Sequence, residues 1–386
     1  MKYRLEELVD LQIGRTPPRK EFEWFNTNGE GYKWVSIKDM GNSGRFISDT
    51  SEYLTEAAQK RFGIPIVEKG TLLLSFKLTV GRLCITTDRM LTNEAIAQLP
   101  IKDTNIVDRD FLYYYLKNYN FHQLGSTSSI ATAINSTYLK KMEIDLPPID
   151  QQRAIAAVLS SIDDKIESNN AINNNLFKQA QSLYKANFID FLPFNRVMPD
   201  DWRIGTVSEI ILLHDSKRIP LSSRERANLS KLYPYYGATS VMDYVDRYLF
   251  DGVYLLLGED GTVVDANGFP ILQYVQGKFW VNNHAHIITG KNGFTVELLY
   301  LLFSMTKVDS IVTGAVQPKI SQANLYKVEA VIPSVKVLQA FDTLIQPIFT
   351  EIRNITSENE KLTALRDTLL SKLLSGEIDV SGISVG

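Results

Sequence analysis

The sequence is poor in the features that mark secreted or membrane-inserted proteins. It has one cysteine, Cys84, in 386 residues, so an intrachain disulfide cannot form. This cysteine usage predicts a reducing compartment such as the cytoplasm. No basic-then-apolar signal follows Met1, and no apolar run approaches the ~18 residues that a membrane-spanning helix needs. We therefore expect a cytoplasmic protein with no membrane partner.

Motifs for catalysis are also missing. The sequence has no Gly-Lys-Ser/Thr phosphate loop and no Gly-x-Gly-x-x-Gly after a strand. Leu146-Pro147-Pro148-Ile149 lacks the polar and aromatic ends of an amino-methyltransferase motif. His284 and His286 share one face of a predicted strand, but no cysteine or acidic cluster near them in sequence suggests a metal site. We expect no catalytic residue, no bound cofactor and no metal, which favours a binding protein over an enzyme.

The charge balance gives no basic excess. Lys and Arg number 41 against 44 Asp and Glu, for a net charge of −3. A protein that binds nucleic acid alone usually has a basic surface, so this balance argues mildly against that class. It is compatible with a DNA-binding protein whose partners neutralise much of the phosphate charge.

What the sequence does contain is an internal duplication, which fixes the architecture. Residues 134–147 align with residues 320–333 at an offset of 186 positions, with identical residues at five places. The identical pairs are Ile134 and Ile320, Leu139 and Leu325, Lys141 and Lys327, Glu143 and Glu329, and Pro147 and Pro333. The duplication predicts two similar units, each a globular segment followed by a long helix.

Hydrophobic patterning predicts an α+β fold for both globular segments. Strands are predicted at 70–76 and 82–86, a helix at 110–119 and a closing strand at 142–146. The second copy repeats them at 252–257, 296–305 and 327–331. In this alignment Asn93-Glu94-Ala95 matches Asn283-His284-Ala285.

A heptad pattern follows each globular segment and predicts two long helices. Apolar residues alternate at spacings of four and three from Ile155 and again from Phe341, as in a coiled-coil seam. We expect the two helices, each about 60 Å long at ~1.5 Å per residue, to pair antiparallel with the two globular segments related by a pseudo-two-fold axis. Asn169, Asn173 and Asn359 fall in the seam, where a buried amide fixes helix register.

With this architecture in view, the whole chain resembles the specificity subunit of type I restriction-modification enzymes. The stretches that carry the resemblance recur in order around the two helices, although each alone is weak evidence. They are 13–18 (IGRTPP), 34–40 (WVSIKDM), 70–75 (GTLLLS), 146–152 (LPPIDQQ), 235–239 (YYGAT), 258–261 (GEDG) and 373–378 (LLSGEI).

The resemblance implies a non-catalytic DNA-binding subunit with two target recognition domains. Each domain is expected to recognise one half of a bipartite, asymmetric site in double-stranded DNA, while the helices set the gap and dock two modification subunits. Those subunits would use S-adenosylmethionine to methylate adenine, and restriction or translocase subunits are optional further partners. The predicted segments are domain 1 at 1–148, long helix 1 at 149–192, domain 2 at 193–333, long helix 2 at 334–376 and a tail at 377–386.

Two matching loops carry the polar side chains that major-groove recognition needs. They lie between the helix and the closing strand of each domain, at 125–132 and 313–319. The resemblance places this loop at the DNA, and a solvated loop is the alternative interpretation. The loop residues predicted to contact DNA are Thr127, Ser128, Ser129, Gln317 and Lys319.

Basic residues beside glycine and proline are candidates for phosphate contacts. They occur at matching places in both domains, and an ordinary charged surface is the competing interpretation. The remaining predicted DNA-binding residues are Arg15, Arg19, Lys20, Lys38, Lys77, Arg82, Lys217, Arg218, Arg224 and Tyr236. Glu259 either accepts a hydrogen bond from cytosine N4 or bonds its own backbone.

Two other classes of function stay open on the residues alone. The first is an enzyme that methylates or cleaves DNA by itself, and methyl transfer without any partner would identify it. The second is an adaptor whose coiled coil recruits other proteins. Removing both globular segments from such an adaptor would abolish partner assembly and leave DNA affinity unchanged.

Overall fold

The computed structural model describes residues 1–121, 134–314, 316–380 and 382. The chain divides into two compact units. Unit 1 comprises Met1–Asn169 and Glu358–Gly386, and unit 2 comprises Asn170–Ser357. Each unit therefore contains one predicted globular segment together with part of both long helices.

Unit 1 begins with a mixed α/β segment of short strands and helices. Its strands are β1 (Lys2–Arg4), β2 (Gln12–Ile13), β3 (Phe25–Asn26), β4 (Tyr32–Val35), β5 (Phe46–Ile47), β6 (Glu52–Leu54), β7 (Leu72–Ser75), β8 (Leu83–Thr86), β9 (Met90–Thr92), β10 (Ile96–Leu99) and β11 (Glu143–Asp145). Its helices are α1 (Leu5–Leu8), α2 (Ile37–Asn42), α3 (Glu56–Phe62), α4 (Arg109–Lys117) and α5 (Ser136–Lys140).

The main sheet of unit 1 has the strand order β2-β10-β7-β8-β5. Strand β7 lies at its centre, and Leu72, Leu73 and Leu74 are completely buried there. A continuous apolar run is typical of a strand that is covered on both faces. Helix α4 packs on this sheet and begins after Asp108, whose side chain accepts a hydrogen bond from the Phe111 N–H.

Unit 2 contains the second mixed α/β segment, which follows the first long helix, α6 (Ile149–Phe188). Its strands are β12 (Arg203–Thr206), β13 (Ile211–Leu213), β14 (Tyr233–Tyr236), β15 (Val241–Val245), β16 (Phe250–Gly258), β17 (Leu272–Val281), β18 (Ala285–Gly290) and β19 (Glu329–Ile332). Its helices are α7 (Ser223–Ala227), α8 (Val296–Ser304) and α9 (Gln322–Leu325), and the second long helix, α10 (Val335–Leu374), follows.

The two globular segments share one strand topology, as the duplication predicted. The order β13-β18-β16-β17 in unit 2 repeats the order β2-β10-β7-β8 in unit 1. In both units the first strand pairs antiparallel with the closing strand, β1 with β11 and β12 with β19. The units differ at the sheet edge, where β17 of unit 2 is followed by β14 and β15.

Strand register corrects one detail of the sequence alignment. Ile96 pairs with Ser75 in unit 1, and Ala285 pairs with Gly258 in unit 2. Asn93 Oδ1 accepts from the N–H two residues on, and Asn282 Oδ1 does the same in unit 2. Asn93 is therefore equivalent to Asn282 and not to Asn283. The sequence match was wrong by one residue because adjacent asparagines offered two alignments.

The long helices contribute to both units. In unit 1, Ile155 and Leu159 of α6 belong to the same buried core as Leu370 and Leu373 of α10. Asn169 is 1% exposed, and its side-chain amide donates to Asn359 Oδ1 at 2.8 Å. The helix segments of this unit are therefore antiparallel neighbours.

The same antiparallel arrangement occurs inside unit 2. The rings of Tyr184 and Phe188 lie 6.2 and 4.8 Å from that of Phe341, and Asn173 Nδ2 donates to Thr356 Oγ1 at 3.2 Å. Helix α6 ends at Phe188, whereas the predicted segment extended to 192, and Phe191 beyond the helix end has a left-handed backbone conformation. No helix within the described ranges is long and apolar enough to cross a membrane.

Candidate nucleic-acid interface

In unit 1 three separate segments meet at the end of the central strand β7. The Phe76 N–H donates to the Ala95 carbonyl at 3.0 Å, and the Phe76 carbonyl accepts from the Ile134 N–H at 2.9 Å. The Arg15 N–H donates to the Thr92 carbonyl at 3.0 Å. Three segments therefore meet at one strand end. They are the predicted basic segment, the turn at Asn93 and the chain that follows the predicted DNA-contact loop.

The loop side chains predicted for unit 1, Thr127, Ser128 and Ser129, lie outside the described residues. Ile134 begins the next described stretch, so the chain returns to the end of β7. Beside it, Thr16 Oγ1 donates to the Glu94 carboxylate.

The predicted basic residues of unit 1 fall into two groups. Arg19 pairs with Glu52 at 2.7 Å and stacks 4.6 Å from the ring centres of Phe25 and Trp34. Arg15 donates to the Phe62 carbonyl, Arg82 donates to the Ile37 carbonyl, and Lys77 lies over the Phe76 ring. Lys20 and Lys38 are exposed, and within the described ranges neither ammonium has an ion-pair partner. Of the candidates in unit 1, these two lysines have the side chains most available to contact a phosphate.

Unit 2 repeats the junction with different side chains. The Glu259 N–H donates to the His284 carbonyl, and the Glu259 carbonyl accepts from the Ile320 N–H, both at 2.8 Å. Glu259 therefore occupies the place of Phe76, and Ile320 that of Ile134. A buried ring stands at this point in unit 1, whereas a carboxylate stands there in unit 2.

Glu259 lies at the centre of an ion network. Arg218 Nη1 contacts Glu259 Oε2 at 2.5 Å, and Lys319 Nζ lies 3.2 Å from Glu259 Oε1. Arg218 is 13% exposed and also donates to the Asp215 and Ala285 carbonyls. Its donors are therefore engaged inside the unit, where they hold Glu259 in place, and Lys319 keeps the more exposed ammonium.

His286 is the most deeply buried residue of this network. It is fully buried, its Nε2 donates to the Ile320 carbonyl at 2.8 Å, and its Nδ1 lies 2.6 Å from Asp215 Oδ2. Asp215 also accepts from the Ile287 N–H and from Gln322 Nε2. These bonds connect strand β18 to the segment that follows the loop at 313–319.

The carboxylates of the network are stabilised in their ionised form. Burial raises the pKa of Asp215, but the hydrogen bonds from His286, Ile287 and Gln322 outweigh it, and the pKa lies below its usual value. Burial also raises the pKa of Glu259, and Arg218 and Lys319 contribute to a net lowering. Both groups therefore stay charged at neutral pH.

The network brings together ligand types that the sequence kept apart. Asp215, Glu259 and His286 offer three ligand atoms within 4.8 Å of one another. This cluster was not predicted from the sequence, because Asp215 is 71 positions from His286. Both ring nitrogens of His286 are already hydrogen-bonded and both carboxylates face cations, so a metal ion would have to displace these partners.

The loop at 313–319 is closed over this network by backbone hydrogen bonds. The Thr313 and Lys319 N–H groups donate to each other's carbonyls at 2.9 and 2.7 Å, and the Gly261 N–H donates to the Pro318 carbonyl at 2.9 Å. Gln317 and Lys319 have exposed side chains. The loop thus presents two of the predicted DNA-contact residues on a fixed base.

The other candidates of unit 2 lie nearer the sheet edge. Lys217 and Arg224 are exposed, and neither has an ion-pair partner within the described parts of the chain. Tyr236 is half-buried and makes an edge contact with Phe279, with ring centres 5.8 Å apart. The Asn282 N–H donates to the Tyr236 carbonyl, so this strand end borders the same junction.

Comparison with known proteins identifies the family. The family model for the type I restriction modification DNA specificity domain matches residues 1–178 and 199–366. The chain belongs to this family. The two matched stretches coincide with the duplication found in the sequence, so the specificity domain occurs twice.

Specificity subunits from two organisms are similar to this chain along nearly its whole length. The specificity subunit of the type I restriction enzyme MjaIX from Methanocaldococcus jannaschii is 27% identical over 98% of this chain and 93% of its own. That of the EcoprrI enzyme from Escherichia coli is 22% identical over 92% of this chain and 90% of its own. The crystal structure of the S subunit from M. genitalium has a TM-score of 0.51 at 18% identity, covering 97% of this chain and 95% of that one. This last likeness supports the fold.

Membership of the specificity family confirms three sequence-based predictions. They are the family itself, the mixed α/β fold class with two long helices, and the role of a non-catalytic DNA-specificity subunit. Cys84 is buried, and burial raises the pKa of its thiol to about 12, as is typical of a structural cysteine. The DNA contacts of individual residues stay predictions.

Proposed function

We propose that this specificity subunit binds a bipartite, asymmetric site in double-stranded DNA, with unit 1 recognising one half and unit 2 the other. The observation that supports this most is the repeated junction at the end of β7 and of β16. Its backbone hydrogen bonds are equivalent in both units, whereas its side chains differ. A common frame with different polar groups suits two domains that recognise different base sequences.

The proposal includes partners that compensate for the charge of the chain. Two modification subunits, bound along the long helices, would use S-adenosylmethionine to methylate adenine in each half-site. Their basic surfaces would supply phosphate contacts that a subunit of net charge −3 lacks. Restriction or translocase subunits would join in a system that also cleaves, and the complex would act in the cytoplasm.

A substitution in the bridged loop of unit 2 tests the division of labour. We expect Gln317→Ala and Lys319→Ala each to weaken discrimination at one or two base pairs of one half-site by about 5- to 100-fold, since a base contact contributes ~1–3 kcal/mol. The other half-site should be recognised as before. Sequencing of duplexes selected from a random pool by the complex with modification subunits measures both halves at once.

The control for this experiment is Lys327→Ala, which removes another exposed lysine of unit 2 away from the junction. It should leave the selected sequences unchanged. Equal losses at both half-sites in the Gln317 and Lys319 variants would contradict the assignment of one half-site to unit 2.

A further inference from the structure

Leu78, at the tip of the turn between β7 and β8, combines exposure with backbone strain. Its side chain is 67% exposed, and its φ of 66° lies in the left-handed region. A residue with a Cβ adopts that region at a cost in free energy, and an exposed aliphatic side chain adds no stability to the fold. Strain of this kind is concentrated at functional sites.

Four other described residues that are not glycine have a positive φ, and three of them are the exposed polar residues Asn195, Arg196 and Asn292. Phe191 is also left-handed, at φ 50°, but its ring packs against the core of unit 2, and that burial offsets the strain. Val316 is completely exposed at the apex of the loop at 313–319, but it lies outside the left-handed region. Among the described residues with a positive φ, Leu78 is the only one whose side chain is both exposed and apolar.

The turn that carries Leu78 is held in one shape by the fully buried Ser75. The Ser75 carbonyl accepts from the Gly81 N–H, and Ser75 Oγ accepts from the Arg82 N–H, both at 2.9 Å. Ser75 Oγ also donates to the Thr79 carbonyl. The side chain of Leu78 is therefore presented on a rigid turn. Because the turn is already ordered, little further conformational entropy is lost when Leu78 contacts a ligand.

The turn also starts at the junction that defines the candidate interface of unit 1. Phe76, two residues before Leu78, is the residue that bonds Ala95 and Ile134. Lys77 directly precedes Leu78 in the chain, and its ammonium lies over the Phe76 ring at 5.2 Å from the ring centre. A cation beside an exposed aliphatic residue suits contact with a phosphate and an adjacent base step.

We propose that Leu78 is a hydrophobic wedge that inserts against one base step of the half-site bound by unit 1. This inference rests on the proposed DNA-binding function and adds a specific contact to it. Apolar side chains placed between bases partly unstack them and bend the duplex. Methylation of a base in a duplex requires that base to leave the stack, and a wedge beside it lowers the cost of that step.

The test compares four variants in the complex with modification subunits, on the bipartite duplex that the random-pool selection identifies. Leu78→Ala removes the apolar tip, and Leu78→Gly removes it and also relieves the left-handed strain. Leu78→Met keeps a comparable apolar volume. Ile106→Ala is the matched control, because Ile106 is a 39% exposed aliphatic residue of unit 1 outside the junction.

We expect Leu78→Ala and Leu78→Gly to bind the duplex about tenfold more weakly, whereas Leu78→Met and Ile106→Ala stay within about threefold of the unsubstituted protein. Leu78→Gly should also unfold at the same or a higher temperature, which separates a wedge from a structural role. 2-Aminopurine placed at successive positions should fluoresce more strongly at one step of one half-site with Leu78 present and lose that signal in Leu78→Ala.

Several results would overturn the wedge. They are unchanged affinity in Leu78→Ala, weaker binding with the 2-aminopurine signal intact, a lower unfolding temperature in Leu78→Gly, or loss of assembly with the modification subunits. The last would mean that Leu78 contacts a protein partner. If the unsubstituted complex selects no bipartite duplex, the proposed function fails and not this inference alone.

Discussion

Lengthening both long helices by one turn is expected to change the gap between the two half-sites and leave each half-site sequence unchanged. The insertion points are the boundaries between the units, Asn169/Asn170 in α6 and Ser357/Glu358 in α10. Four added residues lengthen each helix by about 6 Å, which equals about two base pairs at roughly 3.4 Å each. Coiled coils accommodate such four-residue insertions by local unwinding.

The effect should be large because a complex bound to one half-site alone keeps little more than nonspecific affinity. We expect binding to the original gap to fall by about 10³-fold and a gap about two base pairs longer to become preferred. The control inserts four residues at the surface turn Asn28-Gly29, where a side chain on Gly29 would meet no atom within 4 Å. An unchanged gap in the helix variant would show that the helices do not set the spacing.

Replacing Asp163 by alanine is expected to lower the free energy of unfolding of unit 1 by about 3–5 kcal/mol. Asp163 is almost fully buried, and its two oxygens accept from Arg366 Nη1 and from the Tyr114 hydroxyl, each at 2.8 Å. Burial raises the pKa of the Tyr114 phenol, which therefore stays a donor at neutral pH. Alanine would leave Arg366 Nη1 and the Tyr114 hydroxyl without this acceptor, although Arg366 keeps its exposed pair with Asp367. Urea denaturation measures the loss.

Two further variants separate this buried contact from ordinary surface charge. Lys165→Ala breaks an exposed pair with Glu358 at 3.8 Å on the same helix segment and should cost less than about 1 kcal/mol. The double variant Asp163→Leu with Arg366→Leu removes both charges and should recover most of the stability. A loss in Asp163→Ala no larger than that in Lys165→Ala would contradict a stabilising role for Asp163 in linking Tyr114 of α4 to Arg366 of α10.

Patterns that are local in sequence predicted most of the fold. The apolar run at Leu72–Ser75 identified the central strand of unit 1, and the heptads identified both long helices. Spacings of four and three counted from Phe341 place the charged Arg366 in the seam, and the structure shows that Asp163 of the facing helix pairs with it. Asp163 was missed because its pairing with a residue 203 positions away leaves no local signal.

The sequence analysis named candidate residues of the interface but did not predict which side chains contact one another. Gln317 and Lys319 were predicted because a polar loop at a repeated position is visible in the sequence, and their contact with DNA stays a prediction. The sequence assigned Arg218 to phosphate contact, whereas its contacts lie with Glu259 and the backbone of Ala285. Periodicity reports which residues are buried, but it does not report which buried charges face one another, since such contacts depend on tertiary packing.

The two units also explain how one chain can recognise an asymmetric sequence. Duplication supplies the same strand order and the same junction twice. Phe76 at this position in unit 1 and Glu259 in unit 2 then give each junction a different chemistry. A fold that repeats while its polar groups diverge can be selected for two different half-sites.

Selection of bound duplexes from a random pool by the purified complex with its modification subunits tests whether the two units recognise different half-sites. We expect two short blocks of preferred bases that differ in sequence and are separated by a fixed gap with no base preference. Recovery of one contiguous block, or of the same block twice, would contradict the proposed function.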